Sequence, residues 1–316
     1  SVIDLTSECG FPIISAWLAQ YAQLRGWGDA TQRENQKQAI NRLIGTQLPV
    51  DIDRDIRDLL RFKRFVVLQG APGTGKTYNA LKVSQDYQET HLIQFHAETS
   101  YTDFVGGIRP VLSSDQLKYE AYDGKLIEAI QAADKVREAG GRVLLIIDEI
   151  NRANLANVLG PIFFLFENHV GERNIPLQVG TLSLSKLPDN LDVIATMNTA
   201  DRSLAVVDFA LRRRFAWYTI RPQVIEPKDG QTFHKDLFRE FCDIFERYAS
   251  DEELNLQPGP SYFLTDAKDN KQLMKMRLIY ELMPLIKEYL AEGLLQKAAD
   301  SFAHLFYTEA GVYLYE

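Results

Sequence analysis

Two cysteines, Cys9 and Cys242, are too few for a disulfide framework in a chain of 316 residues, and both are read as packing residues. No basic-then-apolar leader opens the sequence and no apolar run has the length to cross a bilayer. A soluble, cytoplasmic protein without a membrane partner is therefore expected. Positive charge is not in excess. With 35 Lys and Arg against 43 Asp and Glu, the formal net charge is −8, which excludes the chain as a whole as a strong non-specific nucleic-acid binder and leaves only a local basic surface open. His91, His96, His169, His234 and His304 show no ligand spacing, so no zinc site is expected. Internal repeats and low-complexity tracts are absent too. Nor is a nuclease motif evident: Pro188-Asp189 followed by VIEPK (Val224 to Lys228) superficially has the paired acids and Lys of a metal-dependent nuclease. Pro227, however, would interrupt the strand that must present Glu226.

What is present is globular: 46% hydrophobic and 25% charged residues, with length enough for two domains. The most informative stretch is GAPGTGKT, comprising Gly70, Ala71, Pro72, Gly73, Thr74, Gly75, Lys76 and Thr77. It fits the phosphate-loop spacing and lies between an apolar run, FVVLQ, and the helix-compatible YNALKVSQDY, where a strand turns into a helix. Glycines let successive N–H groups turn toward phosphate oxygens, and the helix start adds its positive dipole end. Lys76 reaches the terminal phosphates, and the Thr77 hydroxyl is placed to ligate Mg²⁺.

Residues 1 to about 64 carry helical periodicity, with Ile14, Trp17, Leu18, Tyr21 and Leu24 on one face and IDRDIRDLLRFKR from Ile52 as an amphipathic helix. Aromatics at such spacing are read as core rather than as a base-stacking platform. HLIQFHA is a second strand, and Gly106, Gly107 and Pro110 mark the following ETSYTDFVGGIRP as a loop. A helix, GKLIEAIQAADKVREAG, stops at Gly140 and Gly141. Next, Val143 to Ile147 make a strand apolar on both faces, with Asp148 and Glu149 at its carboxyl end. That is the end where ligands bind in open parallel sheets. Asp148 is read as the Mg²⁺-site acid and Glu149 as the residue that polarises the attacking water.

NLANVLGPIFFLFENH reads as a helix with Pro161 at a kink, and IPLQV with TLSLS as a hairpin. LDVIATMN is another buried strand, whose Asn198 lands beside Glu149, where an amide can hold water or sense the γ-phosphate. SLAVVDFALRRRF is a helix ending in Arg212, Arg213 and Arg214, which on their own are read as dipole partners or solvated charge. WYTIRP closes the sheet as a fifth strand. From about Gly230 the chain reads as helical, with FHKDLFREFCDIFERYAS and MRLIYELMPLIKEYLAEGLLQ separated by QPGPSYFL.

The order of these features resembles that of the AAA+ NTPases, and within them the McrB-like branch, the NTPase subunits of modification-dependent restriction systems. DEINRANLANVLG, MNTADRSLAVVDFALRRRF, FHAETSYTDFVGGIRP and GPSYF carry the resemblance, from about Phe65 to beyond Phe263. It implies an α/β AAA+ module with a five-stranded parallel sheet flanked by helices, over residues 65–229, followed by a helical lid over 230–316. A helical segment over 1–64 precedes it. That segment does not resemble the N-terminal recognition domain of members that read modified DNA.

The resemblance further implies a homo-oligomeric, commonly hexameric ring with nucleotide at each subunit interface. Arg213 and Arg214 would act in trans on the neighbour's γ-phosphate, Arg152 would face the interface, and Asn198 would be the sensor, with Asp201 and Arg202 completing its motif. It points to GTP, with ATP used in the wider superfamily, to Mg²⁺ as cofactor, and to a McrC-like nuclease partner through which the complex meets DNA. Tyr101 to Arg109 would either line the ring's channel or pack beneath a loop. Two other classes of function stay open: an ATP-driven remodelling chaperone of the MoxR-like kind, and an assembly scaffold gated by nucleotide binding alone.

Overall fold

The computed structural model describes residues 51–113, 116–167, 177–179, 182–201, 209–266 and 270–315. The helices expected before residue 51, together with His169 and Arg202, lie outside the described residues. The compact unit begins at Ile52. In order it contains α1 (Ile52–Phe62), β1 (Phe65–Gly70), α2 (Lys76–Val83), β2 (Glu89–Gln94), α3 (Tyr101–Phe104), β3 (Gly106–Ser113), β4 (Gln116–Asp123) and α4 (Lys125–Arg137). It continues with β5 (Val143–Asp148), α5 (Leu155–Val158), β6 (Leu177–Val179), β7 (Leu182–Leu184), β8 (Leu191–Asn198), α6 (Phe209–Arg214) and β9 (Ala216–Thr219). The C-terminal part has β10 (Gln231–Phe233), α7 (Lys235–Tyr248), β11 (Leu264–Asp266), α8 (Asn270–Arg277), α9 (Met283–Ala291) and α10 (Ala299–Ala310).

Five strands form one parallel sheet in the order β2-β5-β8-β1-β9. The alternation of side chains explains why its central strands are continuously apolar. Phe65, Val67, Val143, Leu145, Ile147, Val193 and Ala195 face a core completed by Leu126, Ile127 and Ile130 of α4. Their neighbours Val66, Leu68, Leu144, Ile146 and Ile194 face the other side, where Ile56 and Leu60 of α1 and Ala80 and Val83 of α2 cover them. Helix α1 is thus part of the packed sheet.

A buried polar knot secures the amino end of β8: Asp192, 1% exposed, accepts from Arg142 Nη2 at 2.6 and 2.7 Å and from the Tyr87 hydroxyl at 2.6 Å. Burial and the adjacent carboxylate push the Tyr87 phenol well above its usual range.

Four elements differ from expectation. The stretch read as a loop around Gly106, Gly107 and Pro110 is a helical turn, α3, followed by the first strand of a β3–β4 hairpin with eight paired positions. Gly106 adopts φ +131°, where a Cβ would meet Tyr122 O at 2.6 Å, so it serves as the tight entry to the ribbon. Pro110 is tolerated because a two-stranded ribbon has a free edge. The single helix expected over NLANVLGPIFFLFENH is α5 and then a 3₁₀ run, Gly160–Phe166. Pro161 has no N–H to donate and disfavours α geometry at the residue before it.

The C-terminal part is not purely helical, since β10 and β11 pair as a short antiparallel ribbon. The long amphipathic run near its end is helical as expected, but α8 passes into α9 through a π-turn at Leu278–Leu282, just before Pro284, which again cannot donate a helix hydrogen bond. That part has its own core, in which Phe263 meets Phe238 and Phe241 at 5.3 and 5.5 Å and Phe302 meets Phe241 and Phe245 at 5.2 and 5.6 Å.

Phe65, the first residue of β1, is fully buried and packs edge-on to Phe166 at 5.3 Å and tilted against Phe215 at 5.8 Å. Phe65→Ala should lower unfolding free energy by about 3 to 5 kcal/mol, read as a shifted midpoint in urea. A loss below about 1 kcal/mol would show that this cluster does not anchor the strand that carries the phosphate loop.

Candidate active site

The carboxyl ends of three adjacent strands converge. Gly70 of β1 pairs with Asn198 of β8, and Ile147 of β5 pairs with Ala195, so the phosphate loop, the acidic pair and Asn198 leave the sheet side by side. Gly73 and Gly75 take φ values of +77° and +87°, conformations costly for any residue with a Cβ. The loop then enters α2, with Gly75 as its N-cap. Thr74 Oγ1 donates to Ala71 O at 2.9 Å and Asn79 Nδ2 to Gly75 O at 2.8 Å, which brace the loop from within.

Lys76 is nearly buried, and its ammonium donates to Gly70 O and Ala71 O, each at 2.9 Å. Burial lowers its pKa, while the negative charges of Glu149, Asp148 and Asp201 act in the opposite direction.

Asp148 Oδ1 accepts two hydroxyls, Thr77 Oγ1 at 2.7 Å and Thr196 Oγ1 at 2.6 Å. The Thr196 oxygen in turn accepts the backbone N–H of Glu149 at 3.0 Å. Glu149 itself sits at φ 54°, ψ 47°, left-handed geometry that costs a non-glycine residue about 1–2 kcal/mol. Its Oε2 is buried, accepts no hydrogen bond from the described residues, and lies 3.5 Å from Arg152 Nε. Arg152 Nη2 reaches Asp201 Oδ2 at 3.2 Å, and the same oxygen accepts from Asn198 Nδ2 at 3.3 Å. Asn151 Nδ2 donates to Asn198 O at 3.2 Å. Glu149, Arg152, Asp201 and Asn198 therefore form one continuous polar chain.

The structure thus brings together the whole phosphate loop, Asp148, Glu149, Arg152 and Asn198. Arg213 and Arg214 lie elsewhere, on α6, and differ sharply from each other. The Arg213 side chain is 70% exposed and 3.7 Å from Glu167 Oε1. Arg214 is 7% exposed, paired with that same carboxylate, and its guanidinium lies 5.2 Å over the Phe163 ring. Tyr101 and Phe104 pack into the main core, Phe104 edge-on to Phe95 at 5.4 Å.

Three residues in this arrangement escaped sequence reasoning. Thr196 carried a signal: it lies two positions before Asn198 and so on the same face of β8. Asn151 lies in the DEINRANLANVLG stretch that carries the resemblance, but neither it nor Glu167 showed its partner, which is 47 residues away along the chain.

Thr77 Oγ1 and Asp148 Oδ1 are hard oxygen donors 2.7 Å apart at the mouth of the phosphate loop, a donor set that fits Mg²⁺, which retains most of its waters and takes few protein ligands. No cluster of three or more His, Cys, Asp or Glu suited to a metal occurs among the described residues.

Residues 65–215 match the AAA domain of the dynein-related subfamily. Among characterised proteins, the chain is 32% identical over 256 residues to the Type IV methyl-directed restriction enzyme EcoKMcrB subunit of Escherichia coli K12, covering 73% of this chain and 54% of that protein. It is 30% identical over 191 residues to the Type II restriction enzyme BsuMI component YdiS of Bacillus subtilis 168, covering 48% of this chain and 55% of that protein. The chain belongs to the McrB-like branch of the AAA+ NTPases. It spans about half the length of both relatives.

Thr196→Val keeps the shape of the side chain and deletes the hydroxyl that serves both Asp148 and the Glu149 N–H. Hydrolysis should fall about 10- to 100-fold, as expected for a lost hydrogen bond to a charged group, and the thermal midpoint should fall as well, because the Glu149 N–H loses its acceptor. An unchanged turnover rate would remove Thr196 from the site.

Proposed function

We propose that this chain is the NTP-hydrolysing ring subunit of a DNA restriction or phage-defence complex, taking GTP as its first-choice nucleotide and ATP as the second. The observation that carries this reading is the convergence of Lys76, Thr77, Asp148 and Glu149 around one phosphate loop. Restriction is preferred to protein remodelling because both curated relatives are restriction components.

In this reading the N–H groups of Gly73 to Thr77 and the Lys76 ammonium hold the nucleotide's phosphates. Mg²⁺, held by Thr77 and Asp148, supplies charge neutralisation of the phosphate oxygens when bound. Glu149 Oε2, which accepts no hydrogen bond from the described residues, accepts a proton from water as the water oxygen bonds to the γ-phosphorus and the bond to the β–γ bridging oxygen breaks. The products are nucleoside diphosphate, inorganic phosphate and a proton. Arg152 and Asp201 orient Glu149 and Asn198 rather than touching the reacting atoms.

Exposed Arg213 is the arginine assigned to the neighbouring subunit's γ-phosphate. Arg214, locked on Glu167 and Phe163, is assigned to holding α6 in place. A homo-oligomeric ring, hexameric in its simplest form, follows from an arginine that acts in trans. A McrC-like nuclease subunit would bring the complex to DNA.

The test is hydrolysis of GTP and ATP side by side over a range of protein concentrations, with Glu149→Gln as the inactive control. GTP preference and a specific activity that rises with concentration are expected. Arg213→Ala should cost about 10³-fold in turnover, whereas Arg214→Ala should chiefly lower the melting temperature. A rate independent of concentration, down to dilutions where rings dissociate, would sink the trans-arginine assignment. Co-purification without any nuclease subunit would move the reading toward remodelling, and full function of Glu149→Gln in the assembled complex would move it toward a scaffold.

A further inference from the structure

The GPSYF stretch serves the family resemblance as a signature, but the chemistry above leaves it without a task. Its placement suggests one. After a short 3₁₀ turn at Glu253–Leu256, the chain runs through Gln257 and Pro258 to a second 3₁₀ turn, Pro260–Phe263, laid directly against the phosphate loop. The Gly259 N–H donates to Pro72 O at 2.8 Å and the Ser261 N–H to Gly73 O at 3.2 Å. Contact is backbone on backbone. A Cβ on Gly259 would lie 2.1 Å from Gly73 C and 2.2 Å from both Gly73 O and Thr74 N, distances no real side chain shows. From the other side, a Cβ on Gly73 would meet Ser261 Oγ at 2.4 Å and the Tyr262 ring at 3.0 Å.

The peptide group is planar and trans, so a carbonyl and the N–H of the next residue point in opposite directions within one rigid plane. Tying Pro72 O to Gly259 therefore turns the Gly73 N–H away from the lid. Tying Gly73 O to Ser261 does the same for the Thr74 N–H. Both donors belong to the run that a phosphate loop presents to its ligand.

The strap is itself anchored. Phe263 is buried in the lid core, Arg277 Nη1 donates to Ser261 O at 2.8 Å, and Thr199, one residue past β8, donates through its hydroxyl to Asn255 O at 2.7 Å.

We propose that the Gly259–Tyr262 turn is a positioning strap for the phosphate loop, which pre-orients the Gly73 and Thr74 amides for a nucleoside polyphosphate and couples the lid to nucleotide binding. Gly259 is its indispensable residue, since only glycine permits the two backbones to meet. The inference rests on the nucleotide-binding reading of GAPGTGKT, though not on hydrolysis, on the ring or on the base.

Two measurements test it. In the first, fluorescent GDP and ADP analogues are titrated into the unmodified protein and into Gly259→Ala and Ser261→Ala. Gly259→Ala should weaken binding about tenfold or more, the equivalent of losing one or two oriented hydrogen bonds, with an unchanged far-ultraviolet dichroism spectrum. Ser261→Ala, which keeps both backbone donors, should stay within about twofold of the unmodified protein. Unaltered affinity in a folded Gly259→Ala would overturn the strap.

The second needs no variant. Amide hydrogen exchange of residues 257–263 in the unmodified protein should be slow without nucleotide and slower with GDP or ADP. Fast, nucleotide-insensitive exchange there would refute the proposal even if Gly259→Ala failed to fold. Hydrolysis is read separately, so an unmodified protein that binds nucleotide without turning it over would refute the function proposed above and leave the strap standing.

Discussion

Asp148 Oδ1 receives the hydroxyls of Thr77 and Thr196, and through that single atom three strands of the sheet are held in functional register. Thr77 lies in the first turn of the helix that follows β1, Asp148 ends β5, and Thr196 lies on β8 between them in the sheet. Hydrogen bonds to an ionised acceptor are short and about twice as strong as neutral ones. The position of Glu149 follows from the same knot, because its N–H is the next link, donating to Thr196. A residue forced into left-handed geometry persists only where its surroundings over-determine it. Here the strand before it, the hydroxyl opposite and the following 3₁₀ turn, Ile150–Arg152, do so together.

This knot needs a rigid base, which the sheet supplies by being buried on both faces. Alternate residues of β1, β5 and β8 enter two different cores, so none of these strands can slip by one position without exchanging its two faces. The polar chain from Glu149 through Arg152 and Asp201 to Asn198 is then laid across a fixed platform. Its members are partly exposed, where each ion pair contributes little to stability. Their value lies in direction rather than in strength. Arg152 sits beside Glu149 Oε2, while Asp201 accepts from both Arg152 and the Asn198 amide.

Much of this was legible in the chain itself. Continuous apolar runs announced the central strands β1, β5 and β8, and their carboxyl ends announced where Lys76, Asp148, Glu149 and Asn198 would meet, because a parallel sheet delivers successive strand ends to one edge. Helix α4 was legible from its period and its glycine stop. The β3–β4 hairpin was not, since Gly106, Gly107 and Pro110 are the residues that usually deny a strand. A two-stranded ribbon tolerates them because half of its backbone groups need no partner. The breaks at Pro161 and Pro284 were underestimated for a related reason: periodicity reports which face is buried, not whether each N–H exists to be donated.

Sequence alone determined the chemistry that depends on spacing along one strand or one turn: the glycines that let the loop curl, the lysine and threonine that follow, and the acids at the end of an apolar run. Tertiary structure decided whatever depends on two distant segments meeting. Arg213 and Arg214 are adjacent and chemically identical, yet Glu167 and Phe163 bury one and leave the other in solvent. Gly259 reads as an ordinary turn glycine until Gly73 is brought against it. Local pattern governs which conformations a residue can adopt. Packing between elements far apart in the chain governs which neighbours remain to it.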